Sequence, residues 1–458
     1  MQDAGRIGMT TAGLSASAAG PARPGLRLKD CYLFFGPLVL MVELNMISKS
    51  VIHAFLARTD SPSVTLAAFN AAFTFYFALA SATEVTALLC LSFLKARADL
   101  RRLVAFMALV LLVPLSIALL AAFTNLGNVI FGSWFGLGLE AQGQARTAVA
   151  MLLMSIPVLL GRGTAFALLM LNRRTLVITF STLVRLLSLA ISLIILPFWL
   201  EGAAIGAAAL VLCMAVETLF AWGFAWRLLM RLPAVREPQG SYLGYWRFAW
   251  PLIINASAEM GVIFVINLFL GRLSNAEIAI AAFGVVHGLV SLLVAPMRNL
   301  TQTAQTLIAR REDIRTMLVF TGQLVVLFTL LVIVLFETPL RERILRGVIG
   351  LTPELAAYAA PALVLALVLA PFWSLTALFR GLLAKARTTG SLAASGVLRI
   401  LTAALAGTIT LASPDVNGAF LGVAAWILSY AVETAISTWR LWRLGWFVEA
   451  QPLAIPAP

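Results

Sequence analysis

Twelve stretches of about twenty predominantly apolar residues, separated by short polar loops, dominate this chain. A stretch of that length crosses a bilayer as a helix, because only a helix or a closed barrel satisfies its own backbone hydrogen bonds in lipid. The stretches lie near 32–55, 65–94, 103–124, 145–171, 175–199, 203–228, 246–271, 277–308, 317–337, 355–384, 389–412 and 418–441. The pattern predicts an all-α polytopic membrane protein with twelve transmembrane helices. Composition agrees: 61% of residues are hydrophobic, 12% are charged, and the mean hydropathy is +0.97. A soluble domain has about 45–50% apolar and about 25% charged residues, so a water-soluble enzyme is excluded.

The formal net charge is +13, from 33 Lys and Arg against 20 Asp and Glu. In a soluble chain such an excess would suggest nucleic acid; across twelve spans it reads as topology. The N-terminus, the even-to-odd loops and the C-terminus hold 21 of the 33 bases, and the opposite loops hold 6. The positive-inside rule then places both termini in the cytoplasm of a multi-pass protein of the cell or inner membrane. The other six bases, Lys49, Arg162, Arg185, Arg298, Arg380 and Arg399, fall inside predicted spans. Residues 1–28 read as a disordered cytoplasmic tail and not as a signal peptide, lacking an apolar core segment. Cys31, Cys90 and Cys213 have neither disulfide nor metal-ligand spacing and read as small hydrophobes.

The chain matches itself when shifted by 214 positions. Pro37 then meets Pro251, Arg97-Ala-Asp99-Leu-Arg101 meets Arg311-Glu-Asp313-Ile-Arg315, Pro157 meets Pro371, Arg173 meets Arg387 and Arg185 meets Arg399. With two further residues inserted, Glu217-Thr218 meets Glu433-Thr434. Leu and Ala coincide between any two membrane helices, whereas intramembrane Arg and Glu do not. Six helices per repeat leave both halves in one orientation, the plan of two-lobed carriers whose substrate sits near the midplane. The reading is a cytoplasmic tail (1–28), an N-lobe (29–228), a cytoplasmic linker (229–244), a C-lobe (245–444) and a second cytoplasmic tail (445–458).

An ionisable group at the bilayer centre costs roughly 2.5–3.5 kcal/mol even on insertion scales, so each needs a partner or a cavity. Arg185 and Glu217 lie at matching depth on consecutive helices, about 15 Å from the cytoplasmic edge at 1.5 Å per residue. Arg399 and Glu433 repeat the arrangement. These are expected to be structural ion pairs within each lobe, with a site inside each lobe as the functional alternative. Asn45 and Lys49 share one face of the first helix, as Asn255 and Glu259 do on the seventh. Together with Asn70, Arg162, His287 and Arg298 they are the candidate lining of a central substrate cavity. Glu84 and Arg298 occupy equivalent positions with opposite charge and are the candidate gate between lobes, the bland alternative being snorkelling or pairing within one lobe. Arg380, nearer the cytoplasmic end, has lipid-headgroup contact as the bland alternative to a place in the substrate cavity, and His287 reads more readily as a packed histidine than as a proton switch.

No phosphate-cradling GxxxxGK[ST], HExxH, nucleophile elbow or paired-cysteine motif occurs, so neither enzyme chemistry, a cofactor nor a metal site is expected. A substrate gradient, or H+ or Na+ as coupling ion, would supply the energy. Gly202 with Gly206, and Gly418 with Gly422, have the four-residue spacing of close helix packing.

The two-lobe layout resembles the multidrug/oligosaccharidyl-lipid/polysaccharide exporter superfamily, with a MATE-like arrangement. Within it, Phe248-Ala-Trp-Pro-Leu252, Ile266-Asn-Leu-Phe269, Gly271-Arg272-Leu273, Val348-Ile-Gly350 and Ser395-Gly-Val-Leu-Arg-Ile400 resemble the progressive ankylosis protein family. That resemblance implies a V-shaped carrier with alternating access that exports small organic anions such as citrate or nucleoside triphosphate. Lys49, Arg162 and Arg298 would suit an anion cavity; Glu84 and Glu259 would have to neutralise bases or bind a coupling cation. The expected partners are a small-molecule anion and the lipid bilayer, without nucleic acid, and a monomer is expected. The alternatives are a flippase for lipid-linked oligosaccharides, an H+- or Na+-coupled multidrug exporter, and a non-transporting membrane subunit of a polysaccharide-synthesis complex.

Overall fold

The structure, a computed structural model, describes residues 25–446 apart from 57, 60, 136, 235–239, 271, 350, 352 and 410–412. Most of both expected tails, and the middle of the linker, lie outside these residues. Among the described residues there is no strand, and twelve helices have the length and apolarity to cross a membrane. They are α1 (Leu28–Leu56), α2 (Val64–Phe93), α3 (Arg97–Phe123), α4 (Leu139–Leu171), α5 (Thr175–Phe198), α6 (Ala203–Leu229), α7 (Tyr242–Leu270), α8 (Ala282–Leu307), α9 (Glu312–Phe336), α10 (Ala366–Lys385), α11 (Gly390–Gly407) and α12 (Gly418–Arg443).

The internal repeat extends to irregular backbone. Helix α1 and helix α7 begin and end 214 residues apart. The same shift relates π-helical turns at Val129–Trp134 and Arg343–Val348. It also relates the left-handed residues Arg173 (φ 55°) and Arg387 (φ 53°). Each of these closes a helix by the same paired bonds. Arg174 N–H donates to Leu169 O at 2.8 Å and Thr388 N–H to Leu383 O at 3.0 Å.

Helix starts are equally duplicated. The backbone N–H groups of Lys95 and Ala96 donate to Asp99 Oδ2 at 3.1 and 2.8 Å, and those of Ala309 and Arg310 to Asp313 Oδ2 at 2.8 Å each. A carboxylate in the first turn also complements the helix dipole. Asp313→Ala is therefore expected to destabilise the protein by about 1–2 kcal/mol, read as a lower melting temperature in detergent.

Four of the twelve stretches are not the continuous helices that apolar length suggested. Helix α2 tightens to a 3-10 turn at Ser81–Glu84, and α8 does so at Ala295–Asn299. In α4 the helix breaks between Leu152 and Ser155, just before Pro157. The last two irregularities sit at prolines, which remove a backbone donor and free a carbonyl one turn back. Similarly, the stretch expected at 355–384 is two helices, Pro353–Val364 and α10, separated at Leu365.

Helices pack in two corresponding groups: α1 on α5, α5 on α6 and α4 on α6, matched by α7 on α11, α11 on α12 and α10 on α12. Between the groups, the later parts of α2 and α8 pack on each other, on α10 and on the early parts of α7 and α1. This seam lies toward the face carrying the helix ends at 28, 93, 242 and 307. Hydrogen bonds cross it there. Gln305 Nε2 donates to Leu88 O (2.9 Å) and Ser92 Oγ (2.6 Å), Arg387 Nη2 to Ser92 O (2.8 Å), and Asn299 Nδ2 to Leu38 O (3.1 Å).

Candidate functional site

Seven intramembrane charges form one layer, which Glu259 and Arg380 join through their side chains. Counting from the seam-side ends at 1.5 Å per residue, Glu84, Arg162, Arg185, Glu217, Arg298, Arg399 and Glu433 all fall within roughly 13–18 Å of that face, near mid-membrane. The local reason is the repeat: equivalent helices present equivalent positions at equal depth.

In the first group of helices, Glu217 on α6 is fully buried and receives two arginines. Arg162 Nε on α4 lies 3.0 Å from Oε2, and Arg185 Nη1 on α5 lies 3.6 Å away. Thr182 Oγ1 donates to Glu217 Oε1 at 2.9 Å, and Arg185 Nη1 donates to Asn45 Oδ1 on α1 at 2.6 Å. The cluster is two cations, one anion and two neutral acceptors or donors, held in a medium where an unpaired charge would be costly.

The second group is built alike around Glu433 on α12. Arg380 Nε and Nη2 on α10 donate to its two oxygens at 2.8 Å each, a bidentate fork. Arg399 Nε on α11 is 3.0 Å from Oε2, and Asn255 Nδ2 on α7 donates to Oε1 at 3.0 Å. Arg399 also donates to Asn255 O at 2.8 Å and lies 5.1 Å over the Tyr430 ring.

Two further carboxylates extend this cluster to the other lobe. Glu259 on α7 is 3.7 Å from both Arg380 and Arg298, and Arg298 Nη2 donates to Glu84 Oε2 at 3.1 Å. The result is an alternating series, Glu84–Arg298–Glu259–Arg380–Glu433–Arg399, running from α2 across the seam into the core of the second group. Its ends differ in exposure, 45% for Glu84 and 38% for Arg298 against zero at Glu433 and Arg399.

The backbone is similar to those of solved structures over 91–92% of the chain. A MATE solved in a straight conformation superposes with a TM-score of 0.70 at 15% identity, covering 91% of this chain and 96% of that one. The outward-facing structure of a multidrug resistance MATE family transporter of the MOP superfamily gives 0.65 at 15%, over 92% and 97%. A MOP superfamily transporter from Pyrococcus furiosus, for which a binding pocket of reversed polarity is described, gives 0.66 at 16%, over 91% and 96%. The chain has the MATE transporter fold. No protein-family model and no curated protein sequence matches it.

On this MATE fold the expected cavity lining is divided. Asn45 and Arg162 serve the Glu217 cluster, while Glu259 and Arg298 serve the series that ends at Arg399. Asn255, expected to face a cavity, is 3% exposed and spends its amide on Leu392 O and Glu433, because Gly396 lets α11 pack directly on it. Arg162, expected to line the cavity, holds Glu217. Asn70 is exposed and meets His53 Nε2 at 2.7 Å, and His287 packs on Trp426 with ring centroids 4.7 Å apart. Lys49 lies in α1, with its side chain outside the described residues.

Arg380, expected either to line the cavity or to meet lipid headgroups, grips Glu433. A signal was available: Arg380 stands four residues after Thr376, the repeat equivalent of Arg162, so one helical turn separates the two arginines on one face. Thr182 and His53 carried no such signal, as neither is charged at an equivalent site.

Proposed function

We propose that the protein is a secondary transporter that exports small organic anions by alternating access of its two lobes. The observation that carries this reading is Arg298, a partly exposed arginine at mid-membrane, tied to Glu84 of the opposite lobe. A charge at that depth facing the seam between lobes is costly unless it meets an ionic cargo or its counter-ion. The layer as a whole supports an anion: five described arginines (162, 185, 298, 380, 399) face four glutamates (84, 217, 259, 433). Resemblance to the progressive ankylosis family points the same way, to citrate-like carboxylates or nucleotide phosphates.

With both termini in the cytoplasm, the seam closes the cytoplasmic side and the pair Glu84–Arg298 acts as the gate above it. Each glutamate of the layer is engaged by arginine, which leaves it poorly suited to H+ or Na+ coupling. An interior-negative potential alone drives anion export, by about 2.3 kcal/mol per charge per 100 mV. The protein works as a monomer, without a cofactor, on a small-molecule substrate.

The test is uptake of labelled citrate and labelled ATP into proteoliposomes. Wild-type protein is expected to move at least one of them above protein-free vesicles, with Arg298→Ala reducing the rate at least about tenfold, the equivalent of about 1.4 kcal/mol. Movement of neither anion, or an Arg298→Ala and an Arg162→Ala variant that both transport like wild type, removes the reading.

A further inference from the structure

Glu84 and Arg298 differ from every other described ion pair of the layer in three ways. They join different lobes, both remain partly exposed, and each belongs to a 3-10 segment, Ser81–Glu84 or Ala295–Asn299, that interrupts its helix. Their hydrogen bond is single, from Nη2 of Arg298 to Oε2 of Glu84 at 3.1 Å. Arg380, by contrast, makes two bonds of 2.8 Å to Glu433, whose carboxylate is fully buried. Arg298 thus holds its inter-lobe partner by one contact, although a guanidinium can grip a carboxylate by two. Its second neighbour, Glu259, is 3.7 Å away and shared with Arg380.

We propose that Glu84 is an internal competitor of the substrate, a resident carboxylate that occupies Arg298 until a carboxylate or phosphate cargo displaces it. This rests on the organic-anion reading above. A free anion can take the two-point geometry that Glu84 does not use, and charge-assisted bidentate bonds are the stronger kind. The displaced Glu84, 45% exposed, returns to solvent at small cost, whereas displacing Glu217 or Glu433 would strand a fully buried carboxylate. Arg298 keeps Glu259 beside it in either state, so its neighbourhood is never two cations and a vacancy. Exchange at this one position also couples occupancy to motion: binding of cargo breaks the mid-membrane tie between lobes, and release of cargo restores it. The tight, bidentate pairs inside each lobe stay intact, and each lobe moves as a unit.

The experiment is equilibrium binding of labelled citrate, and separately labelled ATP, to the purified full chain. Wild type is compared with Glu84→Gln, Arg298→Lys and Arg298→Gln, each checked for a monodisperse elution profile and an unchanged helical spectrum. Removing the competitor in Glu84→Gln is expected to tighten binding of the favoured anion about tenfold, the effect of about 1.4 kcal/mol. Arg298→Lys keeps the charge and loses the fork, so it is expected to bind at least about tenfold more weakly. Arg298→Gln is expected to lose binding. Should wild type bind an anion while Glu84→Gln binds it equally or more weakly, competition is refuted and anion transport stands. Should Arg298→Gln bind as wild type does, Arg298 is not the receiving residue and the proposal falls. Should neither wild type nor Glu84→Gln bind citrate or ATP, the organic-anion reading itself fails and takes this proposal with it.

Discussion

Glu433→Gln is expected to destabilise the protein by about 3–5 kcal/mol, measured as a large drop in the melting temperature of the detergent-purified chain. Glutamine keeps the shape of glutamate and one acceptor oxygen but removes the charge that two arginines share. Arg380 loses one arm of its fork, and Arg399, with no exposed side-chain surface, becomes an uncompensated cation among apolar helices. A buried ion pair taken as a whole contributes little, because desolvation offsets most of the attraction; removing one partner leaves that desolvation cost without its return. Two comparisons check the cause. Arg380→Gln added to Glu433→Gln is expected to recover part of the loss, since one stranded cation is gone. Arg346→Gln, which breaks an exposed i,i+4 pair with Glu342, is expected to change stability by less than about 0.5 kcal/mol. A Glu433→Gln variant that melts with the wild type would show that the C-lobe does not depend on this carboxylate.

Gly422→Leu is the other large effect, about 3 kcal/mol, at the upper end of what overpacking a core costs. A Cβ at this position of α12 would lie 2.7 Å from Phe283 Cδ2 and 3.2 Å from Ile266 Cγ2. Both neighbours are buried, with Phe283 at 1% and Ile266 at 0% exposure, and neither has room to retreat. Close approach of α12 to α7 and α8 needs hydrogen here, as small residues do throughout membrane helix interfaces. The equivalent Gly206 meets Ile52 and Leu56 at 2.9 Å, so Gly206→Leu is expected to act in the same direction. Gly223 has nothing within 4 Å and serves as the control: Gly223→Leu is expected to leave the melting temperature unchanged or raise it. Equal melting of the Gly422 and Gly223 variants would contradict the packing described.

Depth in the membrane was readable from the chain because a helix advances 1.5 Å per residue whatever it packs against. Counting from the cytoplasmic arginines put Arg185 opposite Glu217 and Arg399 opposite Glu433. The repeat shift of 214 set Glu84 beside Arg298 in the same way, and the structure brings all three pairs within 3.6 Å. Direction around the helix was not readable. Arg162 and Asn255, expected to line a cavity, engage Glu217 and Glu433, because packing of α4 on α6 and of α11 on α7 sets which neighbours each helix face meets. Arg380 has its backbone nearer the cytoplasmic end, and its long side chain reaches to Glu433.

Sequence by itself determined the twelve spans, the duplication and the height of each buried charge. These follow from apolar run length, from coincidences of Arg and Glu that chance does not supply, and from the cost that forbids a lone charge in lipid. Only the tertiary structure decided which arginine holds which glutamate, where the helices break, and that among the described residues a single ion pair joins the two lobes while the rest are confined within them. Those outcomes depend on the rotation and close approach of helices about one another, set by prolines, glycines and side-chain shape at contacts far apart in the chain.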